Sequence, residues 1–382
     1  MRKILLLGGT GAMGVYLCER LSQSASVFVT TRRPRPTGEC GATSGVSFIV
    51  GNAKNLDFVK KVIVDVRPDA IIDFMTYTTE EFRSRAELLV RGCSHYVFLS
   101  TYRVFDGVVP LTERSPRLLD SSTDEEYLAT DEYAITKARQ EDILRSLDIP
   151  TWTIIRPAIT FSKTRFQFGC LEAWEVCYRS LAGLPVVMPH EMIDHQATLS
   201  WAGDVALMIE RLILNERAYS EDFNVATAEH MPWRRIGEIY ADEIGLTVRE
   251  CSLSDYIYII GSQYQVMYDR MFDRIVDNRK VLTVTGLTQK DLTPVSIALR
   301  NELRAFKEKP VYPVFVISRL AKMDRVVGSR IPLRGLSLRQ KKEYLKIRYP
   351  ILGSTPVNFA ERSVMRMVKI VKEGLRRCTH LK

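Results

Sequence analysis

The sequence predicts an α/β fold: a doubly wound parallel sheet that carries a smaller C-terminal lobe and a basic C-terminal extension. Three observations carry that prediction. Short apolar runs alternate with segments of helical spacing through the first half of the chain. A glycine-rich turn follows the first apolar run. The charge also changes sign along the chain. Residues 301–382 hold 20 Lys and Arg against 6 Asp and Glu, net +14, whereas the preceding 300 residues hold 34 against 39, net −5. Of the 382 residues, 46% are hydrophobic and 26% charged, a balance that excludes a mostly disordered chain.

The apolar runs Lys3–Leu7, Val27–Thr31, Ser47–Val50, Ala70–Asp73, Tyr96–Ser100 and Thr151–Ile155 read as buried strands. Helical spacing is found over Ala12–Leu21, Asn55–Val66, Thr78–Arg91 and Glu125–Leu147. Strands that alternate with helices give a parallel sheet covered on both faces, joined by right-handed crossovers. After Arg156-Pro157 the pattern loosens. Helices are expected over 165–182, 204–215 and Trp233–Ile244. The short strands Val186–Met188 and Phe223–Val225 are too few for a second sheet of the same size. The expected organisation is a dinucleotide-binding domain over 1–160, a substrate-binding lobe over 161–300 and a basic extension over 301–382.

No run of 18 apolar residues is present, so no transmembrane helix is predicted, and the apolar start ends too soon for a secretory signal. The seven cysteines, at 18, 40, 93, 170, 177, 251 and 378, form no CxxC pair and no Cys/His cluster at metal spacing. They read as reduced thiols of a cytoplasmic protein, with no metal site. The pair His190 and His195 lacks any further ligand pattern.

The run Gly8-Gly9-Thr10-Gly11-Ala12-Met13-Gly14 leaves the first strand and opens the first helix, with glycines spaced GxxGxxG. The turn must be tight, and the backbone must approach a pyrophosphate without a Cβ in the way. The helix N-terminus then supplies free N–H groups and the positive end of its dipole. Gly8, Thr10, Gly11, Ala12, Met13 and Gly14 are therefore the expected cradle of a dinucleotide. Strand two ends Val29-Thr30-Thr31-Arg32-Arg33, with no carboxylate for ribose hydroxyls and two guanidinium groups suited to a 2′-phosphate. NADP is thus expected in preference to NAD. Asn52, after strand three, is placed to bond an adenine edge.

Tyr133-Ala134-Ile135-Thr136-Lys137 puts a phenol and an ammonium on one helix face, four residues apart. A phenol with a pKa of about 10 is a poor base at neutral pH, and a nearby cation favours its phenolate. The strand Tyr96–Ser100 leads into Thr101, whose hydroxyl would stand at the C-terminal strand ends, where such sheets form their ligand crevice.

The combination of GGTGAMG after the first strand, Leu99-Ser100-Thr101 followed by Val104-Phe105-Asp106-Gly107, Tyr133-x-x-x-Lys137 and Ile155-Arg156-Pro157 resembles the extended short-chain dehydrogenases/reductases. More narrowly, it resembles the NAD(P)-dependent epimerase/dehydratase family that acts on nucleotide sugars. Asp204-Val205-Ala206 and Phe223-Asn224-Val225 are similar to later landmarks of that family, so the resemblance covers about residues 1–245. It implies a Rossmann fold, with Thr101 polarising the sugar oxygen and Tyr133 as acid/base. Lys137 would tune Tyr133 and hold the nicotinamide ribose. Where family dehydratases place an Asp-Glu pair after the catalytic Thr, this chain has Tyr102-Arg103, which argues against dehydration.

The expected function is hydride transfer on a nucleotide sugar, as a keto-reductase or an epimerase, in a homodimer. The rival classes are a reductase of a non-sugar small molecule and a non-catalytic nucleotide-binding scaffold with a basic tail. Intact Thr101, Tyr133 and Lys137 argue against the scaffold, and no nucleic-acid partner is expected. Arg165 is a candidate clamp for a substrate diphosphate. The segment Phe359–Leu375 has the spacing of a basic amphipathic helix that would dock on the body of the protein or touch a membrane surface.

Overall fold

The computed structural model describes residues 1–34, 45–312 and 314–350. Its centre is a parallel sheet of seven strands: β1 (Arg2–Leu7), β2 (Ala25–Thr31), β3 (Val46–Val50), β4 (Ala70–Asp73), β5 (His95–Leu99), β6 (Trp152–Ile155) and β7 (Glu221–Phe223). The strands lie in the order β7-β6-β5-β4-β1-β2-β3, so the chain reverses direction across the sheet beside β1. The run Ile4-Leu5-Leu6-Leu7 is buried on both faces, at most 1% exposed, which places β1 at the middle.

Side-chain alternation splits this sheet into two apolar layers. Ile4, Leu6, Val27, Val29, Ile72 and Val97 face helix α1 (Ala12–Leu21) and a later helix over Ala202–Leu212. Leu5, Leu7, Ile71, Tyr96, Phe98 and Ile154 face α2 (Leu56–Val66), α3 (Thr79–Arg83), α4 (Ala86–Arg91) and α5 (Tyr133–Arg145). Full burial of each large aliphatic side chain contributes roughly 1.5–3 kcal/mol.

Two long predicted helices are each broken. The span Thr78–Arg91 ends its first turn-and-a-half at Arg83 and restarts at Ala86, because the buried Arg85 guanidinium donates to the carbonyls of Glu81, Ala53 and Lys54. The span Glu125–Leu147 stops at Leu128 and restarts at Tyr133. Arg139 donates to the carbonyls of Thr130 and Leu128, and the Glu132 side chain caps the new helix at the Ala134 N–H, 2.6 Å away. Tyr133 is therefore the first residue of a helix rather than part of its interior.

After β6 the chain leaves the sheet for about sixty residues and returns to lay β7 beside β6, so Phe223 completes the first sheet instead of starting a strand of the second lobe. The predicted helix 165–182 forms only over its C-terminal half, as α6 (Ala173–Leu181). Before it, Gln167–Phe168 and Leu171–Glu172 form an antiparallel pair. Its turn uses Gly169 at φ +59, where a Cβ would stand 2.6 Å from the Tyr256 hydroxyl. Helix α7 (Ala202–Leu212) covers α1, and α8 (Trp233–Ile244) forms as predicted.

Helix α9 (Val295–Glu308) runs across residue 300 without a break. Beyond it, α10 (Ile317–Val327) and α11 (Leu338–Arg348) build a satellite core with Trp174, in which Leu320, Ala321 and Tyr344 are fully buried. The buried Asp324 carboxylate accepts from Arg179 (2.7 Å), the Ile331 N–H (2.7 Å) and the Tyr344 hydroxyl (2.6 Å). The segment Phe359–Leu375 and the residues Cys40 and Cys378 lie outside the described residues. The described cysteines form no disulfide. Among the described residues, no helix is long and apolar enough to cross a membrane, and no group of His, Cys, Asp and Glu could hold a metal ion.

Candidate active site

The C-terminal ends of β1 to β4 open into a cavity of about 380 Å³, lined by Gly8, Thr10, Thr30, Thr31, Arg32, Asn52, Lys54, Met75 and Thr76 among others. Gly8 turns the chain at φ +72, a left-handed conformation that glycine adopts without strain. Gly11 is the N-cap of α1 and brings no capping side chain, so the N–H groups of Ala12, Met13 and Gly14 have no intrahelical acceptor. A Cβ on Gly11 would meet no atom within 4 Å, whereas one on Gly14 would stand 2.2 Å from the Gly9 carbonyl oxygen. Gly11 thus leaves open space before free donors, and Gly14 lets the helix rest on the turn. These features fit a pyrophosphate.

Of the two arginines after β2, only Arg32 lines this cavity. Arg33 is exposed, and its carbonyl accepts from the Thr31 hydroxyl at 2.9 Å. The Asn52 side-chain oxygen accepts from the Lys54 N–H at 3.1 Å. Lys54 itself lines the cavity and is a cation that the sequence reading missed.

A second cavity, about 330 Å³, is lined by Met13, Thr101, Tyr133, Arg103, Arg165, Gln167, Glu172, Gln265 and Arg270 among others. Between the two, a smaller cavity of about 260 Å³ is lined by Lys54, Thr76, Tyr77, Tyr133, Thr136 and Lys137. It shares Lys54 and Thr76 with the first cavity and Tyr133 with the second. The three cavities thus neighbour one another, from the glycine turn to Thr101, Tyr133 and Lys137. Gly11, Ala12 and Gly14 are not among the lining residues of these three cavities.

Lys137 is buried, and its Nζ donates to the Leu99 carbonyl at 2.7 Å, above the Phe98 ring. Burial pushes its ammonium down to about 8, against the pull of Asp73 and Glu141. Asp73 ends β4 fully buried, accepting from the Tyr96 hydroxyl at 2.9 Å and the Met75 N–H at 2.9 Å. Burial raises its carboxyl above the usual range. Burial also raises the Tyr133 phenol, and the guanidinium groups of Arg103 and Arg165 oppose that rise. Glu132 adds to it, and the Thr101 hydroxyl counters it. The cations that act on Tyr133 most strongly are thus two arginines; Lys137 is directed at a backbone carbonyl.

Thr101 caps the short 3-10 turn over Tyr102–Val104, with its hydroxyl accepting from the Arg103 N–H at 3.3 Å. Arg165 lines the second cavity with no carboxylate partner among the described residues. His195 hydrogen-bonds Asp273 at 3.0 Å, and the exposed His190 lies 3.8 Å from Glu250; both are away from these cavities. Arg103, Glu132, Asp269 and Arg270 were not singled out as site residues from sequence. Their one signal is Arg103 itself, a charged residue two positions after Thr101.

Residues 4–226 match the model of the NAD dependent epimerase/dehydratase family. No curated protein matches the sequence. Among solved structures, the Bordetella bronchiseptica enzyme WbmG in complex with NAD and UDP is similar at 18% identity and a TM-score of 0.61, over 82% of this chain and 97% of that one. The Thermus thermophilus UDP-glucose 4-epimerase complex with NAD is similar at 18% identity and a TM-score of 0.60, over 81% and 100%. The Bacillus anthracis dTDP-glucose 4,6-dehydratase in complex with NAD follows at 12% identity and a TM-score of 0.59, over 81% and 97%. At these identities the likeness is one of fold.

Proposed function

The chain belongs to the NAD dependent epimerase/dehydratase family, and we propose that within it this protein transfers hydride between a nucleotide-sugar carbon and a nicotinamide dinucleotide, with Tyr133 moving the matching proton. The observation that supports this reading best is the set of neighbouring cavities, sharing lining residues, from the glycine turn to Tyr133. When bound, the dinucleotide supplies the site that takes up or releases the hydride.

The residues of this chain divide the work along that set. Gly8, Gly11 and the first-turn N–H groups of α1 hold the pyrophosphate, and Asn52 and Lys54 face the adenosine end. Thr101 hydrogen-bonds the reacting oxygen. In the oxidative direction, the sugar carbon loses its hydride as the hydroxyl proton passes to the Tyr133 phenolate, leaving a ketone; reduction reverses both transfers. Lys137 holds the ribose near the nicotinamide. Arg165, a cation without a carboxylate partner among the described residues, takes the substrate diphosphate. Dehydration is not proposed, because Tyr102 and Arg103 stand where it needs an acid and a base, and a guanidinium does not give up its proton.

Arg32 in the lining supports room for a 2′-phosphate, whereas the NAD in the similar structures lends NADP no support. The test begins with the purified protein, from which any retained nucleotide is identified. NADH and NADPH are then titrated by fluorescence, and UDP- and dTDP-sugars are offered with each. Turnover that is lost in Tyr133→Phe while dinucleotide binding is kept supports the reading. Binding of neither dinucleotide, or turnover that survives Tyr133→Phe, overturns it.

A further inference from the structure

Arg103 leaves the turn after β5 and reaches across the second cavity. Its guanidinium carbon lies 5.3 Å from the centroid of the Tyr133 ring. Two carboxylates fix it there. Its Nη2 donates to Glu132 at 2.6 Å, and its Nε lies 3.2 Å from Asp269. The side chains of Arg103 and Glu132 are 14% and 11% exposed, and that of Asp269 is 1% exposed.

Each partner belongs to a different part of the fold. Glu132 is the cap of α5, directly before Tyr133. Asp269 lies in the single π-helical turn Val266–Arg270, beyond the family match. Asp269 also pairs with Arg270 and with Arg274, the latter at 3.1 Å, and Arg270 donates to the Tyr102 hydroxyl at 3.0 Å. One arginine thus ties the Thr101 turn, the start of the Tyr133 helix and the substrate lobe together. It places a permanent positive charge beside the phenol.

We propose that Arg103 is a positioning residue for proton transfer at Tyr133: held by Glu132 and Asp269, it keeps the phenol oriented beside Thr101 and supplies the charge that favours the phenolate. This rests on reading Tyr133 as the proton-moving group. Lys137, to which the family resemblance gives that role, keeps its charge while it donates to the Leu99 carbonyl, and Arg103 adds to it a second cation held by two carboxylates. The groups that face Tyr133 are Glu132 and Lys137 on its own helix, Thr101 and Arg103 from the β5 turn and Arg165 from beyond β6. Lys54 and Asp131 line the smaller cavity with it, and Glu172 and Arg270 line the second cavity with it. Of these, Arg103 is the cation that most strongly opposes the effect of burial on the phenol.

The test reads Tyr133 directly, without turnover. The full chain is made with 3,5-difluorotyrosine at position 133, whose phenol titrates well below that of tyrosine, and followed by fluorine NMR against pH. A unit charge about 5 Å away, partly neutralised by two carboxylates, should move the midpoint by on the order of one pH unit, a tenfold change in the phenolate ratio. Arg103→Met is expected to raise the midpoint by that amount, and Arg103→Lys to restore most of it. Arg103→Gln, which keeps an amide donor for Glu132 but loses the charge, is expected to raise it as well and serves on its own if Arg103→Met does not fold. A midpoint unchanged in Arg103→Met or in Arg103→Gln overturns the proposal. Because no substrate enters the experiment, an absence of nucleotide-sugar turnover would sink the proposed function and leave this result standing.

Discussion

Replacing Gly11 and Gly14 singly by alanine separates ligand contact from folding. At Gly11 the backbone, φ −86 and ψ −172, is extended and open to any residue, and a Cβ would meet nothing within 4 Å. The entropy gained by Gly11→Ala, roughly 0.4–1 kcal/mol, about offsets the weaker N-cap preference of alanine, so stability should stay within about 1 kcal/mol of the parent. The same methyl would stand before the free N–H groups of α1. Loss of one or two charge-assisted hydrogen bonds there, each worth about 1.5–3 kcal/mol, predicts a dinucleotide Kd weaker by at least about tenfold. At Gly14 the methyl would lie 2.2, 2.5 and 2.8 Å from the O, C and Cα of Gly9, all backbone. The turn must move by about an ångström, at an overpacking cost of about 1–3 kcal/mol. Calorimetric melting without ligand, and NAD titration by isothermal calorimetry, read the two effects separately. A Gly11→Ala protein that binds NAD like the parent would refute the placement of the pyrophosphate. An unshifted melting temperature in Gly14→Ala would refute the close approach.

Two buried carboxylates on α5 and α6 should respond to pH in opposite directions. At Glu141, burial works against ionisation, but Arg156 at 2.7 Å and its neighbours overcome it and bring the carboxyl from 4.5 down to about 2. Its contribution is present above pH 4.5 and lost as the pH falls through about 2. Glu141→Gln should cost about 3–5 kcal/mol at pH 7, since it strips a buried pair of one partner. Urea unfolding should show that deficit shrinking below pH 4.5; a deficit constant down to pH 2 would contradict the pairing. At Glu175, burial dominates and raises the carboxyl from 4.5 to about 7 despite Arg319 at 3.6 Å. Its contribution is complete below pH 4.5 and disappears as the pH rises through about 7. Glu175→Gln should therefore gain stability relative to the parent between pH 5 and 8. Parallel melting curves across that range would count against this.

The sheet was legible because its strands are buried on both faces and so appear as unbroken apolar runs; Ala70–Asp73 has the predicted bounds. The helices were less so, since Arg85 and Arg139 break two of them by seizing backbone carbonyls, an event that periodicity does not register. Thr101, Tyr133 and Lys137 were legible as a spaced set, and the structure gathers them along neighbouring cavities. The approach of Arg103 to the Tyr133 ring was not. It depends on Asp269, a residue from a distant segment that no local pattern links to the site. The basic C-terminal fifth was read from its charge and from the one amphipathic segment Phe359–Leu375, whereas residues before that segment are anchored through the apolar faces of α10 and α11 and the buried Asp324.

The late return of the chain to the first sheet has a consequence for synthesis. The dinucleotide cradle is complete in sequence by residue 76, yet α1, which forms its floor, rests on Val205, Met208, Ile209 and Leu212 of α7, and the outermost strand is residues 221–223. A nascent chain released from the ribosome only as far as β6 would carry the glycine turn on a helix whose apolar underside still faced water. Such a surface is the kind that chaperones hold. Competence to bind the dinucleotide should therefore arrive late in translation, as a single event, when the stretch through residue 223 clears the exit tunnel.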